Sequence, residues 1–165
     1  MSQIGEYDRL IQLAALKYLP GYDWRLYKAQ LWQESKLNPY ATSPAGARGI
    51  AQFMPTTWRE WSPKAGFAGA DVVDPEASIF TGACYMAWLI GQWSSPRPDM
   101  DRYLLAAASY NAGLGNILKA QVRSGNALWF APIIRCLDTV TGNASLETTT
   151  YCKRILQWWA QEITG

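Results

Sequence analysis

"WQESKLNPYATSPAGARGIAQFMPTTW", residues 32–58, changes character twice within one short span. Its first residues, through Lys36, read as the end of a helix, which Asn38-Pro39 stops because the residue before a proline is pushed out of the helical region. Asn38 to Met54, rich in Pro, Ser, Gly and Asn, reads as loop, with room for a small irregular hairpin. Pro55-Thr56-Thr57 then opens a short helix through Trp61, with Thr57 and Glu60 spaced as a capping box. Glu34 is the only acidic residue between Trp32 and Trp58. Whether that lone carboxylate is a catalyst or an ordinary helix residue decides how the chain is read.

Outward from this stretch the hydrophobic periodicity is helical nearly throughout, and no strand-like alternation is sustained. The first helix is expected over about 5–19, ending at Pro20-Gly21, and Asp23 caps the next, over about 24–36. Asp74-Pro75, cap then proline, starts a long helix to about Trp93. Ser94–Pro98 is a break. Helices follow from Asp99 to Gly113 and from Gly115 to Ser124. Residues 127–141 are partly helical with a kink or break at Pro132, and a last helix covers about 147–163. The expectation is all-α, with residues 1–165 as one domain, a size that suits a single core.

Composition narrows the chemistry. Hydrophobic residues make up 49% of the 165 residues and charged ones 17%, a globular balance. The net charge of +2 is too small to argue for nucleic acid. No segment approaches the roughly 18 apolar residues of a membrane span. There is no histidine, which removes Ser-His-Asp and Cys-His nucleophile pairs and every His-containing zinc site. Cys84, Cys136 and Cys152 fit no metal motif; a Cys136–Cys152 bridge is conceivable, and free buried thiols are preferred. No phosphate-binding glycine motif is present, so neither metal nor cofactor is expected. Nine Trp and nine Tyr against four Phe suit either an aromatic core or a wet cleft for sugar rings. Any catalysis must come from carboxylates, hydroxyls and amides.

On a helical wheel Trp24, Tyr27 and Leu31 align, and Glu34 falls within about 20° of Tyr27. The carboxylate is therefore expected on the apolar stripe, in the last turn, where helix carbonyls make the potential negative. Burial and that dipole both disfavour its ionised form, which is the condition for a general acid near neutral pH. A glutamate in a last turn also often just swings to solvent, and the wheel alone leaves both readings open.

The neighbouring motifs add weight. Glu34-Ser35, then Ser43, Gly46, Ala47 and Gly49 as S-x-x-G-A-x-G, then Gly49-Ile50-Ala51-Gln52 with Met54-Pro55 after it, resemble the catalytic core of SLT-type lytic transglycosylases, which share the goose-type lysozyme-like fold. Asp74-Pro75 through Gly82 and Tyr85, Ala107–Gly113 (AASYNAG), and Glu147-Thr148 with Tyr151 resemble further pieces of that family in the same order. The match covers about residues 24–156. Ala51 stands where the family commonly has Met, and Thr149 replaces the Arg of E-T-R. Residues 125–145 match none of these motifs.

The resemblance implies peptidoglycan glycan strands as substrate, cleaved between N-acetylmuramic acid and N-acetylglucosamine without water, leaving a 1,6-anhydromuramoyl end. One carboxyl suffices. Glu34 would protonate the glycosidic oxygen, then take the proton of the C6 hydroxyl as it attacks. Tyr110 would orient Glu34, with Ser35, Gln52, Met54, Asn111 and Tyr151 as substrate-binding residues. Structural alternatives stand beside them: Asn111 capping the turn before Gly113, Gln52 capping the helix at Pro55, Ser35 bonding backbone. The first residues, MSQIGEYDRLIQL, lack a secretory apolar run. The expected context is a phage or prophage endolysin, monomeric, made in the host cytoplasm, reaching the periplasm and wall with a holin and without membrane insertion of its own; a virion-borne enzyme is the alternative. A lysozyme-like hydrolase, a non-catalytic wall-binding protein and a chitin-active enzyme are the rival readings.

Overall fold

Asp23 begins the helix that matters most. Its carboxylate accepts from the Arg25 backbone N–H at 3.0 Å and from the Arg25 guanidinium at 2.9–3.1 Å, filling an orphan donor of the first turn. The helix ends at Ser35, where Lys36 and Leu37 turn left-handed at φ 57° and 60°. The computed structural model describes residues 5–165. Among them are nine helices: α1 Asp8–Tyr18, α2 Trp24–Ser35, α3 Pro55–Lys64, α4 Pro75–Gln92, α5 Asp99–Ala112, α6 Leu114–Arg123, α7 Phe130–Arg135, α8 Asp138–Thr141 and α9 Ala144–Thr164. Extended pairing among the described residues is confined to the bridges Thr42–Arg48 and Arg48–Phe53, the expected irregular hairpin.

The chain divides into two compact units, with the boundaries inside α4 and α9. The first runs through Ala87 and resumes over Ile155–Gly165; the second is Trp88–Arg154. In the first, α2 is more enclosed than a one-sided amphipathic helix. Leu26, Tyr27, Lys28, Ala29, Gln30 and Leu31 are buried consecutively, so the single apolar stripe expected from the wheel is corrected to a helix covered all round. Tyr27 donates to the Ile79 carbonyl at 2.7 Å. Lys28, 2% exposed, meets Asp8 of α1 at 2.9 Å and Glu162 of α9 at 2.6 Å. Burial lowers the Lys28 pKa, but the two carboxylates outweigh it and hold the ammonium above its ordinary value. From α9, Trp158 donates to Gln33 at 3.0 Å and Trp159 to Asp23 at 3.2 Å.

The second unit is built on α5, buried continuously from Tyr103 to Ser109. Against it pack α6 and α7, and α6 also meets α8. Trp93, 1% exposed, donates to Ser109 Oγ at 3.2 Å.

Three local expectations need correction. α3 begins at Pro55 after Met54, so Thr57 lies inside it and forms no capping box; Glu60 pairs with Lys64 at 2.8 Å instead. Pro132 sits in the first turn of α7, where its missing N–H costs no helical bond; the break falls after Arg135. The three cysteines are free, so no Cys136–Cys152 bridge forms. Cys152 is buried and its thiol is pushed up to about 12, while Cys84 and Cys136 are half-buried. Among the described residues no helix is long and apolar enough to cross a membrane.

Candidate functional site

Glu34 is half-buried in the last turn of α2. The next residue connects that turn to the loop. Ser35 Oγ donates to the Ile50 carbonyl at 2.8 Å, so of the two roles open to Ser35 the structure displays the backbone one. The loop is tightly braced behind it. Ser43 accepts at Oγ from Ala47 N–H and bonds Ala47 and Gly46 through its backbone. Gly49 donates to Ala41, and Arg48 and Phe53 exchange a pair of backbone bonds at 3.0 Å.

Gly49 has to be glycine. Its φ is +82°, and a Cβ there would lie 2.3 Å from the Val72 carbonyl oxygen. Ala51 is buried with its N–H on Ser78 Oγ at 3.1 Å. A Cβ on Gly82 would lie 3.0 Å from the Ala51 methyl and 2.4 Å from the Tyr27 hydroxyl. Small residues at 51 and 82 therefore let the loop lie close on α4.

Gln52, at φ 51°, donates through Nε2 to Ala41 and Gly49 carbonyls at 3.1 and 2.9 Å. It braces the loop and does not cap α3, whose cap residue, Met54, makes no side-chain capping bond. Met54 is 43% exposed. Left-handed non-glycine residues among those described are Lys36, Leu37, Gln52 and Asn126. Three of the four thus flank Glu34 or sit in its loop, and such strain persists only where surrounding contacts over-determine it.

The second unit holds the remaining residues. Tyr110 and Asn111 are half-buried near the end of α5, which stops at Gly113, φ +86°. Asn111 Oδ1 accepts from Thr148 of α9 at 2.8 Å, so it ties two helices together and does not cap the turn. Asn116 donates to the Ala112 carbonyl there, at 2.8 Å. A cavity of about 130 Å³ is lined by Asn111, Asn116, Thr141, Glu147 and Thr148, among others. Tyr151 is 5% exposed, close on Thr148 along α9. Thr149, standing where the resemblance has Arg, is exposed and bonds its own helix at Ser145 O. Within the first unit, then, Ser35, the loop and Gln52 are joined by hydrogen bonds; within the second, Asn111 and Thr148 are joined.

The ion triad of Asp8, Lys28 and Glu162 had no sequence signal, since its members are spread over most of the chain. Among the described residues no cluster of three or more Cys, Asp or Glu is arranged to hold a metal ion.

Comparison with known proteins places this arrangement. Residues 10–128 match the family model of the transglycosylase SLT domain. The membrane-bound lytic murein transglycosylase F of Haemophilus influenzae is 39% identical over 105 residues, 64% of this chain and 20% of that protein. The protein of the same name from Alteromonas mediterranea is 32% identical over 154 residues, 91% of this chain and 31% of its own length. An inactive Glu-to-Gln mutant of the lytic transglycosylase Slt of Pseudomonas aeruginosa superposes with a TM-score of 0.75 at 25% identity, covering 96% of this chain and 24% of that one. The 70 kDa soluble lytic transglycosylase of Escherichia coli, at 24% identity and a TM-score of 0.74 over 93% of this chain and 23% of its own, shares the fold. The chain thus spans between a fifth and a third of the length of these relatives. The match to the family model runs over most of the chain and takes in Glu34, the loop and Asn111: the chain belongs to the family of the transglycosylase SLT domain.

Proposed function

We propose that this chain acts as one catalytic domain that cleaves peptidoglycan glycan strands between N-acetylmuramic acid and N-acetylglucosamine, without water, to a 1,6-anhydromuramoyl product. The observation that carries the reading is Glu34, half-buried at a helix end and followed by a loop that Ser35, Gly49 and Gln52 hold in one shape. That loop and the turn before it contain no second Asp or Glu as far as Arg59. Paired-carboxylate glycosidases need one about 5–5.5 Å away for retention or about 6.5–9.5 Å for inversion. A mechanism using one carboxyl twice needs none. Glu34 protonates the leaving oxygen, the substrate's N-acetyl oxygen stabilises the anomeric cation, and Glu34 then accepts the C6 hydroxyl proton as that oxygen closes the ring. The Pseudomonas relative inactivated by a Glu-to-Gln change supports looking for one such carboxyl here.

Tyr110, Asn111, Met54 and Tyr151 are assigned as substrate-binding residues, following the motifs that carry the resemblance. Ser35 and Gln52 are assigned a positioning role for the loop, which their bonds to Ile50, Ala41 and Gly49 support. The test is digestion of purified wall with the intact chain and with Glu34→Gln, the soluble products identified by mass. Anhydromuropeptides from the intact chain alone are expected. Reducing muramic ends would make it a hydrolase, and unchanged activity in Glu34→Gln would remove Glu34 from the mechanism.

For context we propose phage-mediated host lysis with passage through a holin. Cytoplasmic expression should lyse cells only when a holin is co-expressed; lysis without one overturns that context and leaves the chemistry standing.

A further inference from the structure

Trp24, the first residue of α2, is half-buried. Its ring meets the Lys28 ammonium at 5.7 Å, and its indole N–H makes no hydrogen bond among the described residues. Trp24 also lines a cavity of about 450 Å³ at the corner between α1 and α2, within the size range of small-ligand sites. Leu19, 2% exposed, and Leu16, 75% exposed at the rim, supply apolar sides. Tyr22 adds a second ring. Gln12 is exposed at the edge, and its carboxamide is likewise unspent among the described residues. The one charged residue in the lining is Asp23. Its carboxylate already holds the Arg25 guanidinium and the Trp159 indole N–H.

This lining selects the class of ligand. An anion meets a carboxylate and no basic side chain in the lining, so phosphates and carboxylates are disfavoured. A wholly apolar guest would cover the Trp24 N–H and the Gln12 amide without pairing them, which costs free energy. A neutral pyranose bearing an N-acetyl group uses every part. Its C–H face stacks on an aromatic ring, and a ring hydroxyl accepts from the indole N–H. The Gln12 carboxamide, donor and acceptor together, pairs with the acetamido group, whose methyl goes to Leu16 and Leu19. We propose that this cavity is an accessory site for one N-acetylated sugar of a glycan strand, apart from Glu34. The proposal rests on the peptidoglycan reading. Trp24 and Glu34 stand near opposite ends of α2, about 15 Å apart along its axis, so the sugar held at Trp24 is not the one being cleaved. A second grip of this kind keeps the chain on an insoluble substrate between cleavage events.

The test uses the whole chain. In nitrogen-15 labelled Glu34→Gln protein the indole N–H signal of Trp24 is identified by its loss in Trp24→Phe. The protein is titrated with the trimer of N-acetylglucosamine and with peptide-free strands from amidase-treated wall. The Trp24 signal should shift saturably with both. The trimer of glucose, which lacks the acetamido group, should need about tenfold higher concentration for the same shift. Gln12→Ala/Leu16→Ser changes two exposed positions, so the core is untouched, and should weaken binding about tenfold. With Glu34 intact, that double variant should clear insoluble wall about fivefold more slowly, while its turnover of short soluble strands stays within about twofold. A Trp24 signal that stays still at millimolar sugar overturns the proposal. So do equal shifts with the glucose trimer, unchanged binding in the double variant, or equal loss on insoluble wall and soluble strands. Saturable shifts with no cleavage of any wall refute the catalytic reading and leave the site. Cleavage with no shift at Trp24 refutes the site and leaves the reading.

Discussion

At the scale of single residues, the loop after Glu34 is held by side chains with no slack. A methyl at Gly49 would meet the Val72 carbonyl at 2.3 Å in a left-handed backbone, so Gly49→Ala should cost about 3 kcal/mol, at the upper end of single substitutions. Urea unfolding measures it, and a cost under about 1 kcal/mol would show that the loop is free to move. Ser35→Ala leaves the Ile50 carbonyl without its partner and should cost about 1–2 kcal/mol. If Ser35 acts only on the loop, Ser35→Ala should lower kcat without changing which products form. Cys152 is buried, with its thiol pushed up to about 12, and the thiolate is the reactive form. The native chain should therefore alkylate at Cys84 and Cys136 well before Cys152 at pH 8, and unfolding should bring Cys152 to the same rate. Peptide mapping after iodoacetamide reads this directly.

At the scale of helices, three polar residues hold α2 between α1 and α9. The Lys28 ammonium, pushed above its ordinary value of 10.5 by Asp8 and Glu162 despite its burial, is charged in the native chain over the whole neutral range. A group whose folded pKa is raised contributes stability in full below its unfolded pKa and loses it as pH climbs through the folded one. Stability should therefore decline above about pH 10.5, and in Lys28→Met that decline should be shallower. At neutral pH Lys28→Met should cost about 3 kcal/mol, because it strands two enclosed carboxylates. Replacing Asp8, Lys28 and Glu162 together by apolar residues should recover most of that. Chemical unfolding across pH 7–11 tests both, and equal alkaline slopes in the two proteins would dismiss the triad as the cause. The Asp23 carboxyl tells the complementary story: burial raises it, but bonds from Arg25 and Trp159 hold it below the ordinary range.

At the scale of the whole molecule, the last residues are part of the first unit's structure. Glu162 pairs with Lys28, Trp158 bonds Gln33 and Trp159 bonds Asp23. Lys36 lies 4.5 Å from the Trp158 ring centre, just after the turn that carries Glu34. A chain ended at Arg154 should lose cooperative unfolding, since it forfeits all these anchors of α2 and the buried Ile155. Circular dichroism with urea checks it. A truncated chain with an unchanged midpoint would mean that α2 is held by the remaining helices alone.

Helix order was legible along the sequence because caps and breakers act locally. Asp23, Asp74-Pro75 and Gly113 mark ends by chemistry within a few residues, and all three stand at helix ends in the structure. Glu34 and the glycine-rich loop were legible for the same reason, as was the family they resemble. The loop's working parts were not. Ser35 had a backbone reading in sequence and the bond to Ile50 displays it, but Gln52 on Ala41 and Gly49, and Asn111 with Thr148, make contacts that neither capping reading contained. The capping box at Thr57 and Glu60 was mistaken because Lys64 offered Glu60 a partner and Met54 was already the cap. The buried triad joins Asp8, Lys28 and Glu162, residues distant in sequence, and no periodicity or spacing records such a meeting. Local propensity thus determined where helices begin and end and which carboxylate stands alone. Burial and hydrogen bonding across the fold decided what each polar side chain does, because a buried donor must find whichever acceptor the packing brings to it.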